Sequence, residues 1–167
     1  MSLSRRIARP LLAAGFVYGA QSALRNADAF SPKASPVAET VVPLVNKAGI
    51  PLTDDNEALV KINAGVQIAG ALALATGKAP RLGALVLATT MVPSTIWGHP
   101  FWSESDPVAK QTMQMHFFKN LSMLGGAIIA AGDTDGDPSL AWRAKRAAKD
   151  ARRETKRATQ VATAKIS

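Results

Sequence analysis

The chain contains no cysteine. That excludes disulfides, thiol chemistry within the chain itself, and cysteine-ligated zinc or iron–sulfur centres. Only two histidines are present, His99 and His116. Both lie near the ends of apolar stretches without a supporting set of ligands, so no metal or haem site is expected. No spacing suggests a Ser/His/acid triad, no internal repeat is evident, and no nucleic-acid reader motif accompanies the basic charge. The run Asp133-Thr134-Asp135-Gly136-Asp137 resembles a calcium loop only superficially. Its sixth and twelfth positions hold Pro138 and Ala144, where an EF-hand needs Gly and Glu. It reads as a polar turn that stops the last apolar helix.

Long apolar runs also look scarce at first, with a mean hydropathy of only +0.06. The average misleads, because polar residues 26–57 and 133–167 dilute four apolar windows. These are Pro10–Leu24, Ile62–Gly77, Leu82–Ser103 and roughly Gln114–Gly132, the last interrupted only by Lys119. A bilayer core needs about 20 apolar residues in a helix. Three of the uncharged cores are therefore a little short, and flanking Lys or Arg can extend them by reaching back to the interface. The windows are apolar nearly all round, whereas a soluble amphipathic helix keeps one polar face. They are rich in Ala and Gly, with a Gly15/Gly19 pair and Gly125–Gly126, and small residues let helices approach closely in lipid. A soluble, alanine-rich helical bundle is the competing reading.

The charge of +8 is unevenly distributed. Arg5, Arg6 and Arg9 open the chain, and from residue 133 onward nine Lys or Arg face five Asp or Glu. Segment 26–57 has five acidic residues against two lysines, and 99–113 is slightly acidic, whereas Gly77–Arg81 is basic. Basic and acidic connections thus alternate at every crossing, as the positive-inside rule requires for four spans with both termini in the cytoplasm. Residues 1–23 could alternatively be a cleaved signal with Arg5–Arg6 as a twin arginine. Removing them would leave three spans and break the alternation. The expectation is an all-α transmembrane four-helix bundle over 1–137, with spans at about 8–26, 58–77, 81–99 and 114–132. An outer loop, 26–57, joins the first two spans; within it Val37–Ala48 could form a short amphipathic surface helix. A basic cytoplasmic helix or tail over 138–167 follows. Helix-prone Trp142–Lys165 could lie along the inner membrane surface with Trp142 as an anchor, or remain solvated.

Polar groups inside spans are costly and are the natural functional candidates. In this topology Arg25, Gln67, His99, His116, Lys119 and Asn120 all fall in the outer halves of their helices, beside Trp97, Phe101 and Trp102. Converging, they would form a ligand pocket of Arg25, Gln67, His99, Trp102, His116, Lys119 and Asn120. The alternative is that they only hydrogen-bond one another and hold the bundle together. A quinone suits such a pocket: His, Lys, Asn or Gln donors would hold its carbonyl oxygens, and Trp or Phe would pack on its ring.

Several segments resemble one family. Trp97-Gly98-His99-Pro100-Phe101-Trp102 is similar to a helix-three ending of the bacterial DoxX membrane proteins. Phe118-Lys119-Asn120-Leu121-Ser122-Met123-Leu124-Gly125-Gly126 is similar to their helix-four signature. Ala8-Arg9-Pro10-Leu11-Leu12 with Gly15, and Asp133–Gly136 followed by Pro138–Arg143, add to the likeness, which covers about residues 5–145. The resemblance implies a four-helix inner-membrane bundle. It also implies a link to thiosulfate:quinone oxidoreductase and to complexes that handle thiol and oxidative stress, where such a subunit accompanies redox proteins. Without cysteine, any sulfur chemistry would reside in a partner. The expected role is an accessory subunit of a membrane redox complex, with membrane lipids and redox proteins as partners, a quinone as the candidate cofactor, and no nucleic acid. The alternative is a scaffold that anchors soluble partners through the basic tail.

Overall fold

The computed structural model of the chain describes residues 3–134, 136, 142 and 145–153. Residues 3–134 form five α-helices and one short 3-10 turn, with no strand among the described residues: α1 (Leu3–Arg25), α2 (Ala27–Lys47), α3 (Asn56–Thr76), α4 (Pro80–Ile96), the turn Phe101–Ser103, and α5 (Pro107–Gly132). Two compact units result, Met1–Asp133 and Thr134–Ser167.

Local chemistry sets the helix ends. The Asp55 carboxylate accepts the backbone N–H groups of Glu57 and Ala58 at the start of α3. Asp106 does the same for Ala109 at the start of α5. Each cap satisfies donors that have no partner within the helix. Pro80 and Pro107 open α4 and α5, where a missing N–H costs nothing. Gly77 closes α3 with φ of 69°, in the left-handed region that suits glycine. α4 ends at Ile96, short of the expected 99, so His99 lies in the connection beyond the helix.

In the first unit α3 packs between α1 and α4, α5 packs on α4, and α1 also meets α5. The closest approach is between α3 and α4: a Cβ added to Gly83 would overlap the Gly70 carbonyl oxygen and lie 2.9 Å from the Leu74 backbone nitrogen. The core is correspondingly small-grained, with Ala13, Ala71, Ala84, Ala88 and Ala127 around Phe16, Leu74, Leu87 and Met91. Large apolar side chains lie outside it, among them Leu11, Tyr18, Leu72, Leu82, Leu85, Ile128 and Ile129, all more than half exposed. Among the described helices one, α3, is both long and apolar enough on average to cross a membrane.

The segment 27–47 departs from the expected loop. It is a continuous helix that begins ahead of Val37 despite Pro32, Pro36 and Pro43. Those prolines recur at i, i+4 and i+11, so they share one stripe. Ala27, Ala34 and Val42 are the buried residues; the two alanines project from the opposite side and Val42 from the flank. Every lost N–H therefore falls away from the packed face, and burial against α3 offsets the helix-breaking cost of proline. α2 crosses the ends of its neighbours: Asn56, at the head of α3, donates to the Ser35 hydroxyl at 2.8 Å. Lys33 donates to the Gly98 carbonyl just past α4 at 3.4 Å.

In the second unit Trp142 and residues 145–153 are helical and exposed. Of the polar turn after α5, Gly136 has φ of 89°, while Asp135, Asp137, Pro138 and Ala144 lie outside the described residues, as does the tail from 154.

Candidate functional site

The polar residues separate into clusters at the two ends of the bundle. At the end formed by the C-terminus of α4, the backbone stays wound for a further turn, with Trp97 and Gly98 N–H groups donating to Pro93 and Ser94 carbonyls. A Cβ on Gly98 would collide with the Ser94 carbonyl oxygen, so the tight turn that delivers His99 needs glycine. The His99 ring stacks on His116 of α5, with centroids 5.4 Å apart and planes at 20°. Lys119 follows His116 by three residues, and its Nζ lies 3.5 Å from His116 Nδ1. Lys33, on the Gly98 carbonyl, completes a group drawn from α2, the α4–α5 connection and α5.

An aromatic cluster adjoins this group. Phe101 meets Trp102 and Phe117 edge-on, at centroid separations of 5.2 and 5.3 Å. Trp102 meets Phe117 at 5.9 Å, and Phe117 meets Phe118 at 5.7 Å. Edge-to-face contacts at these distances are favourable beyond the area they bury. They fix the 3-10 turn on α5 and thereby the position of His99. Burial, then the neighbouring His116, Lys33 and Lys119, hold the His99 imidazole below its ordinary 6.5, at about 4. At neutral pH it is uncharged and offers one donor and one acceptor nitrogen. One turn earlier, the buried Thr95 hydroxyl has no hydrogen-bond partner among the described residues. Its neighbours Thr89, Thr90 and Ser94 by contrast bond back to carbonyls of their own helix.

His99, His116, Lys119 and Trp102 thus come together around the α4–α5 connection. Asn120, the next residue on α5, is half-buried and Gln67 half-buried in α3, while Arg25 is exposed at the end of α1. None of these three makes a side-chain hydrogen bond, ion pair or ring contact among the described residues. Lys33 is the addition that sequence reasoning did not place in the pocket, because it sits in a proline-rich stretch that reads as a loop. Thr95 was legible as a polar group near the outer end of its helix, one turn before His99.

At the opposite end Arg5 Nε and Arg9 Nη2 both donate to Asp133 Oδ2, at 2.8 and 3.2 Å. Arg9 is only 6% exposed. Arg81, leading α4, donates to the Ala131 carbonyl at 3.1 Å, satisfying an acceptor left open by the end of α5. Asp133 therefore does more than stop a helix: it fastens the start of α1 to the end of α5. An open groove lined by Val108, Gln111, Thr112, Gln114, Met115 and Phe118 runs along α5 alone.

The DoxX family model matches residues 5–100, from α1 through His99, and ends before the α5 segment that carries the helix-four likeness. No curated protein matches the chain, and no solved structure does. With more than half of its residues matched, the chain belongs to the DoxX family, and that membership supports its being a membrane protein.

Proposed function

We propose that the chain is a four-span inner-membrane subunit of a redox complex, accessory rather than catalytic by itself, which holds a quinone-type ligand at its outer end. In this reading α1, α3, α4 and α5 are the spans, α2 lies across their outer ends, and both termini are cytoplasmic. At 1.5 Å per residue the 17-residue α4 reaches about 26 Å and the 23-residue α1 about 35 Å. Both are near the thickness of a hydrocarbon core of about 30 Å. The exposed leucines and isoleucines on the bundle's flanks suit lipid, where an apolar exterior carries no penalty. The end bearing Arg5, Arg9 and Arg81 is the basic side and takes the cytoplasmic position.

The ligand reading rests on one observation: the stacked His99–His116 pair, flanked by Lys119, beside the Phe101–Trp102–Phe117 cluster. His99 and Lys119 would donate to carbonyl or anionic oxygens, and Trp102 would serve as a packing wall for a flat ring. Lys33 and the partnerless Thr95 hydroxyl extend the set of donors. The protein supplies position and polarity, and a redox partner carries the electron chemistry.

Gentle extraction from native membranes in a mild detergent, with mass spectrometry of everything that accompanies the chain, tests this. A stoichiometric quinone or redox protein is expected. Lys119→Met should reduce quinone retention about tenfold or more, as losing one charged hydrogen bond would, while the bundle still accumulates in the membrane. Lipid as the sole companion would contradict the reading. Failure of the variant to accumulate would give Lys119 a structural role.

A further inference from the structure

We propose that the basic helix of the second unit docks on the headgroups of anionic lipid, its cationic stripe facing the bilayer. This rests on the membrane reading above and adds to it a lipid-binding surface outside the bundle. The stripe comes from spacing. Lys145, Arg146, Lys149, Arg152 and Arg153 fall at i, i+1, i+4, i+7 and i+8 of one helix, within an arc of about 120° at 100° per residue. The Arg146 guanidinium lies over the Trp142 ring at 5.3 Å, which puts the aromatic on the same side. The far side carries Ala147, Ala148 and Ala151.

Charge decides what the stripe fits. The acid within 145–153 is Asp150, whose carboxylate lies 3.8 Å from Arg146 Nε. Five cations against one carboxylate leave a strong positive excess along a helix whose residues are all exposed. The alanine face opposite is too small-grained to serve as the apolar half of a protein-docking helix. Trp142, half exposed, has the shape and polarity of an interfacial anchor. Clusters of basic residues beside a membrane domain gain affinity for anionic lipid with each cation near the surface. A basic helix without a large apolar face is held at the headgroups by charge, with its Trp at the level of the interface.

The absence of cysteine gives a clean test. Full-length Ala147→Cys carries one labelling site, on the face away from the stripe. It is spin-labelled and reconstituted in nanodiscs of neutral lipid, or of neutral lipid with about one third phosphatidylglycerol. The expected result is slowed label motion in anionic discs only, reversed at 1 M salt, because screening there shortens to about 3 Å. The same label in a chain with Arg146, Lys149, Arg152 and Arg153 all changed to Gln should stay mobile in both discs. Equal mobility in both lipids would overturn the proposal while leaving the membrane bundle intact. Slowing by added RNA or heparin, with none by anionic lipid, would overturn it in favour of a nucleic-acid surface. Failure of the protein to enter discs would overturn the membrane reading and this proposal together.

Discussion

At Gly83 even a methyl group has no room, since it would meet the Gly70 carbonyl of the facing helix. Gly83→Ala should lower stability by about 1–3 kcal/mol, the usual cost of overpacking a tight contact. Gly19→Ala, where an added Cβ meets nothing within 4 Å, should be neutral or stabilising by up to about 1 kcal/mol. Thermal unfolding in detergent separates the two. Sequence reasoning noticed the Gly15/Gly19 and Gly125–Gly126 pairs because they sit together in the chain. In the fold Gly15 faces the flexible end of Met123 and Gly126 faces Leu12, whereas the tightest pair, Gly70 with Gly83, joins different helices. Such a pairing is invisible until the helices are placed side by side. His99 supplies a pH prediction. Its folded-state value, about 4, lies below the ordinary 6.5, so an unfolded chain takes up its proton first. The stability it contributes is complete above about pH 6.5 and is lost as pH falls toward 4. His99→Gln should flatten the dependence of melting temperature on pH across that window. Unchanged slopes would show that the imidazole is not held neutral.

Among the elements, α2 separates what composition says from what a face says. Four prolines between Asn26 and Glu57 argue for an irregular connection, and a short helix from Val37 was the most the pattern suggested. Three of those prolines share the stripe away from α3, so the helix survives from Ala27. The signal was present in the spacing, but it becomes decisive only when the partner surface is known, because proline's penalty depends on which side of the helix must be packed. Val42, 3% exposed against the bundle, is then the sensitive position. Val42→Ala should cost about 2 kcal/mol, whereas Pro43→Ala, on the exposed stripe, should stabilise the helix. Protease sensitivity of segment 48–55 gives a direct readout, increasing for the first variant and not for the second. The other four helices coincide with the apolar windows, although α1 and α5 begin earlier, at Leu3 and Pro107, than the spans expected from about 8 and 114.

For the whole molecule, the candidate site was legible where topology alone could bring residues together. His99 lies just past one helix and His116 within the next, so a short connection between antiparallel neighbours makes them meet. Lys33 escaped because its element did, and Arg25 with Gln67 shared a predicted depth in the membrane without a hydrogen bond, ion pair or ring contact among the described residues. The same reasoning explains Asp133: a residue read as a helix stop lies at the end where the chain's first arginines begin. The central claim is the orientation of this bundle across a bilayer, since it sets which cluster faces outward. Single cysteines introduced into the cysteine-free chain at Ala48, Ala79, Ser105 and Ala147 measure it most directly, with a membrane-impermeant maleimide applied to intact cells. The account predicts labelling at Ala48 and Ser105 from outside, and at Ala79 and Ala147 only after the membrane is permeabilised. Labelling of Ala48 and Ala79 from the same side would contradict it.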